Sequence, residues 1–138
     1  MSYQSLIDRF RSARNDPNFV VLEGFHPLKH GVRFGAAIIE TVGVNLEHLS
    51  VMSADFAPDI RPMILDKLTL VPEEVFRQLA PVPPPTGIIA IAYRPTVDTT
   101  QLLDDPSTAP VVLLENPRNH GNIGAAIRVC AAAGAAGV

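Results

Sequence analysis

Between Glu115 and Arg128 the chain reads ENPRNHGNIGAAIR, a run whose polar residues suit the binding of an anion or a polar substrate. Asn119, Gly121, Asn122 and Gly124 are small or turn-tolerant, so the backbone can bend there and leave N–H groups facing outward for an anion or a polar substrate. Asn122 is suited to cap a following helix through its side-chain oxygen. Arg128 lies six residues later, nearly two helical turns, and its side chain is expected to return along the same face of the helix to meet a phosphate. Glu115 can orient Arg128 and equally suits a surface acid. Generic phosphate motifs are absent: there is no GxGxxG, and no lysine precedes a serine or threonine. On residue chemistry alone two readings of Asn122 and Arg128 stand level, a substrate site and a plain cap with a solvated arginine.

Positioning those residues is the task of the flanking elements. Pro110 to Leu114 is an unbroken apolar run that predicts a buried strand, and IGAAIRVCAAAGAAGV predicts an alanine-rich helix from Ile123 that stops at Gly134. Strand, loop and helix make half of a βαβ unit, with the loop at the carboxyl end of the strand, where open α/β sheets bind ligands. Upstream, Leu6, Ile7, Phe10 and Ala13 recur at helical spacing and predict an amphipathic helix over 3–15. Phe19 to Leu22 predicts a strand, Glu23-Gly24 a turn, and HPLKHGVRFG a short helix with Pro27 in its first turn. A strand is expected over 36–44, a helix over 58–67, a strand over 68–71 and a helix from Pro72 through Leu79. Gly87 to Tyr93 is apolar throughout, as befits a strand covered on both faces. Residues 94–109 mix prolines, threonines and acids without periodicity and read as a linker, with the boundary between Thr96 and Ser107.

Composition narrows the class. The 138 residues are 47% hydrophobic and 18% charged, enough for one good core plus an appendage and tight for two whole domains. A net charge of -3 argues against strong non-specific nucleic-acid binding, so any RNA contact must be local and shaped. The single cysteine, Cys130, excludes an intramolecular disulfide and a cysteine-based zinc site, and reads as a small buried side chain. His26 and His30 have a helical offset but no third ligand at a recognisable spacing, so no metal is expected. His120, in the polar loop, reads as solvent-facing. Arg9, Arg11 and Arg14 read as exposed helix charge. The N-terminus lacks an uninterrupted apolar region and no run reaches membrane-spanning length, so the expected location is the cytoplasm, without a membrane.

The stretch LLENPRNHGNIGAAIRVCAAAGAAGV resembles the first signature motif of the SpoU/TrmH RNA ribose 2′-O-methyltransferases of the SPOUT superfamily, with Asn122 and Arg128 at the matching positions. NFVVLEGFHPLKHGVRFGA is similar to the Glu-Gly-containing start of the family's substrate-recognition domain. The resemblance implies an α/β fold: a ribosomal-protein-like α/β sandwich over 1–96, a linker over 97–109, and over 110–138 the first strand and helix of a truncated SPOUT trefoil-knot domain. It implies methyl transfer from S-adenosylmethionine to a ribose 2′-hydroxyl of ribosomal or transfer RNA by a complete enzyme that is a homodimer, with Arg128 and Asn122 catalytic. It also makes Lys29, His30 and Arg33 candidates for RNA contact, against the plainer reading of a solvated helix face. Two further family motifs, which build the cofactor pocket, have no counterpart here. The 138 residues are therefore expected to bind structured RNA at most, to bind no S-adenosylmethionine, and to expose an apolar tail that packs inward, pairs with another chain or stays mobile. The alternative is a stand-alone RNA-binding module without methyltransferase activity.

Overall fold

In a computed structural model the described residues are 2–96, 98–104 and 109–138, and the chain divides into two units, Met1–Pro95 and Thr96–Val138. Part of the expected linker, Val97 and residues 105–108, lies outside the described residues.

The first unit runs α1 (Tyr3–Asn15), β1 (Phe19–Glu23), α2 (Phe25–Arg33), β2 (Ile38–Gly43), α3 (Leu46–Phe56), α4 (Arg61–Asp66), β3 (Leu68–Leu70), α5 (Glu73–Phe76) and β4 (Ile88–Tyr93). The strands form one mixed sheet in the order β1-β4-β2-β3, with β4 antiparallel to both neighbours and β2 parallel to β3. Strand β4 is central, and its alternating side chains feed two cores. Ile89 and Ile91 pack with Leu6, Ile7, Phe10 and Ala13 of α1 and with Val75, Phe76 and Leu79. Ile88 and Ala90 pack with Phe25, Leu28 and Val32 of α2, Leu49 of α3 and Ile64 of α4. Helices on both faces explain why Ile88 to Ala92 are apolar at every position, while Tyr93 at the strand's end is exposed. Each isoleucine fully removed from water contributes about 1.5–3 kcal/mol.

Local chemistry fixes the turns. Ser2 caps α1, accepting the Ser5 N–H at 3.3 Å. Between β1 and α2 the chain turns at Gly24, whose φ of 109° is a conformation that side-chain-bearing residues rarely adopt. The first N–H of α2, from Phe25, donates to Thr86 Oγ1 at 3.0 Å, a cap supplied from far along the chain. At Gly43 a Cβ would collide with the buried Leu49 side chain, so glycine is what lets α3 settle on the sheet.

The backbone departs from the sequence pattern in several places. The segment 45–57, left unassigned by its pattern, is α3, capped by Asn45, which accepts the His48 N–H at 2.9 Å. Its inward side is Leu49 and Ser53, while Leu46, Val51 and Phe56 are exposed, so no continuous apolar stripe announces it. Helix α5 ends at Phe76 rather than Leu79, and single turns closed by Gln78 N–H to Val75 O and Leu79 N–H to Phe76 O carry the chain onward. Within 94–109 a short helix, α6 (Thr99–Leu103), forms behind an Asp98 cap. A further departure concerns Pro110 to Leu114, expected as a buried strand. Val111 makes one parallel bridge to Gly137, and Val111 and Leu113 are 42% and 91% exposed. With no neighbouring strands to cover it among the described residues, the apolar run remains open to water.

The second unit is otherwise α7 (His120–Ala132). Gly134 ends it as predicted: with φ at 73°, Gly134 N–H reaches Ala131 O at 3.2 Å and Ala135 N–H reaches Cys130 O at 2.9 Å, the paired bonds of a Schellman stop. The chain then returns alongside its start, with Val112 N–H on Gly137 O at 2.9 Å and Ala136 N–H on Pro110 O at 3.0 Å. Segment, helix and parallel segment thus form a rudimentary βαβ unit.

Candidate functional site

The polar loop ahead of α7 is shaped by Asn116, whose φ of 45° places it in the left-handed region that asparagine tolerates better than most residues. The helix then begins three residues earlier than its alanine-rich pattern indicates, and the cap is Asn119, not Asn122. Asn119 Oδ1 accepts the Asn122 N–H at 3.0 Å, and Asn119 O accepts the Ile123 N–H at 3.0 Å. Gly121 leaves the cap room, because a Cβ there would stand 3.1 Å from the capping Oδ1, closer than ordinary contact. Asn122, expected to supply the cap, instead donates its own N–H to it, and its side chain is released from that duty.

That side chain lines a hollow of about 490 Å³ with Leu114, Asn116, Pro117, Arg118, Asn119, Ile123 and Ala126. Arg128 is not among the lining residues. Six residues at 3.6 per turn leave the two side chains about 120° apart around the helix, so Asn122 and Arg128 do not share a face. Arg128 folds back along its own side of the helix, not along the face of Asn122 as expected: one guanidinium nitrogen lies 3.4 Å from where a Cβ on Gly124 would sit, over bare backbone. No ion pair joins it to Glu115 among the described residues, and both are exposed. Arg118 is the cation that the hollow does contain, and sequence reasoning passed over it. Its position two residues beyond Asn116, across a proline, was the available signal. Cys130 is half-buried, and His120 is exposed at the first position of α7.

In the first unit Lys29, His30 and Arg33 all sit on α2, but their situations differ. Arg33 is committed: its Nε and Nη2 donate to both carboxylate oxygens of Asp59 at 2.9 and 2.8 Å. That bidentate bond raises the arginine pKa and lowers that of Asp59. His30 is edge-on to His26 at 4.5 Å and stacks on Phe34 at 6.1 Å. Partial desolvation, reinforced by positive charge on His26, Lys29 and Arg33, pulls the His30 pKa below its ordinary value. Lys29 has no ion pair among the described residues. The arginines of α1 also prove more engaged than exposed helix charge implies. Arg9 pairs with Glu40 of β2 at 2.7 Å and Arg14 with Glu23 of β1 at 2.8 Å, while Arg11 meets Asp8 on its own helix.

Among the described residues no three His, Cys, Asp or Glu side chains are grouped to hold a metal ion, and no helix is long and apolar enough to cross a membrane. No protein-family model matches the chain, and no curated protein matches it.

Proposed function

We propose that the chain is the recognition portion of a SpoU/TrmH-type RNA ribose 2′-O-methyltransferase, with residues 1–96 a ribosomal-protein-like RNA-recognition domain and residues 110–138 the opening of a SPOUT catalytic domain. The observation that carries this reading is the order of two motifs: a β1-turn-α2 corner built on Glu23-Gly24, followed after a helix-bearing α/β unit by a polar loop and α7 carrying Asn122 and Arg128. The parallel bridge between Val111 and Gly137 supports it, because it begins the parallel sheet that such a domain requires.

Arg128 acts in this reading by holding the ribose oxygen as negative charge develops on it. A guanidinium stays protonated in proteins, so it stabilises an alkoxide rather than removing the proton. Asn122 contributes side-chain hydrogen bonds in the adjoining hollow, which also holds Arg118. S-adenosylmethionine would supply the methyl group. The described residues of the second unit do not fit it: the segment that would back a cofactor pocket is open at Leu113, 91% exposed, and α7 has no buried residue. The same openness favours a second reading, in which this chain works by binding RNA alone.

Titration of the full 138-residue chain into ribosomal and transfer RNA, with DNA of the same sequences as control, tests the recognition reading. Saturable binding to RNA in preference to DNA is the expected result, with no heat of S-adenosylmethionine binding in calorimetry. Equal, salt-labile binding to both nucleic acids, or none to either, contradicts it.

A further inference from the structure

Three rings stand along one side of α2 and its C-terminal cap at positions i, i+4 and i+8: His26, His30 and Phe34. The first pair meets edge to face at 4.5 Å and 73°, the second lies nearly parallel at 6.1 Å and 18°. Phe34, the last ring, is 86% exposed. Its ring therefore lends almost nothing to the core, while its neighbour His30 already holds the near-parallel geometry of a stack. The surrounding charge is sparse. Arg33 is tied to Asp59 through two bonds, which leaves Lys29 as the cation beside the rings without an ion pair among the described residues.

We propose that the His26–His30–Phe34 ladder is a stacking site for an unpaired RNA base, with the Phe34 and His30 rings taking the base and Lys29 meeting an adjacent phosphate. The inference rests on the RNA reading above and deepens it: recognition moves from phosphates, for which this acidic chain has little charge, to base faces. Stacking on aromatic rings is available to every base and needs no basic patch. A paired A-form helix offers no such face, because its bases are stacked on one another and its major groove is too narrow for side chains. The downward shift of the His30 pKa favours the uncharged ring, which limits what the ladder gains from non-specific phosphate attraction.

The test uses the full chain with two RNA probes of equal length at fixed salt, a hairpin with an eight-adenine loop and a blunt duplex without unpaired bases. The expected result is tighter binding of the hairpin. Phe34→Ala weakens hairpin binding about tenfold, as loss of one stacked base does, and leaves duplex binding unchanged. Phe34→Tyr restores most of the loss. Val82→Ala, another exposed apolar truncation in the same unit, has no effect. Hairpin binding indifferent to both Phe34→Ala and His30→Ala overturns the stacking site while the RNA reading stands. Failure of the unsubstituted chain to bind either probe overturns both.

Discussion

Two apolar runs, Ile88 to Tyr93 and Pro110 to Leu114, have nearly the same hydrophobic character in sequence and opposite fates. The first is the central strand of a sheet covered on both faces, with Ile88, Ile89, Ala90 and Ala92 wholly buried. The second makes one bridge and leaves Leu113 in water. The contrast extends to the units that contain them: every buried hydrophobic residue among those described belongs to Met1–Pro95. A hydrophobic run states a demand for partners; whether the demand is met depends on what else the chain supplies. The first unit supplies its own and folds around them, whereas the second carries the candidate chemistry on a helix and loop with no core of their own.

The largest test of this contrast is truncation on either side of it. Leu28→Ala or Ile89→Ala should destabilise the first unit by about 2–5 kcal/mol, a large part of a small domain's stability. Leu113→Ala should move the same urea transition by less than about 0.5 kcal/mol. Equal effects would mean that the 110–114 run belongs to the same cooperative core.

A smaller effect separates the two units by their helix caps. Asn119→Ala removes the bond to the Asn122 N–H and should cost α7 about 1 kcal/mol. That is enough to fray residues 120–124, visible as lost helical carbon chemical shifts. Asn45→Ala removes the equivalent bond in α3, yet buried Leu49 holds that helix on the sheet, so its shifts should persist. Persistence of α7 after the first substitution would show that it has packing support beyond its cap.

The smallest effect concerns α2. Because desolvation and neighbouring positive charge depress the His30 pKa in the folded chain, folded protein takes up that proton less readily than unfolded protein. Stability is therefore undiminished above the ordinary histidine value and falls as pH drops from there through the folded-state value. An NMR titration should place the His30 midpoint below that of an unstructured peptide of the same sequence, and His26→Ala should bring it partway back. A midpoint at or above the peptide's would contradict the geometry of the ladder.

Much of the first unit was legible because its signals are local or periodic. The α1 stripe, the glycine corner after β1 and the covered strand β4 each follow from a few neighbouring residues, as does the Gly134 stop in the second unit. What escaped depends on distant partners. Helix α3 hides because its one inward leucine is flanked by exposed Leu46, Val51 and Phe56. The Thr86 cap on α2 joins residues 61 apart in sequence, and the pairing of Arg9 with Glu40 crosses from helix to strand. At the candidate site the residue types were legible and their arrangement was not. The cap moved from Asn122 to Asn119 because a side-chain bond offsets the poor helix propensity of His120-Gly121-Asn122. Helical phase then put Asn122 and Arg128 on different faces.

The proposed role of Arg128 in ribose 2′-O-methylation is open to a decisive measurement: mapping 2′-O-methyl groups on ribosomal and transfer RNA from source cells with the gene intact, disrupted, and restored as Arg128→Ala. One methylated ribose should disappear on disruption and stay absent with the Arg128→Ala gene, while the unaltered gene restores it. Identical methylation maps in all of these cells would contradict it.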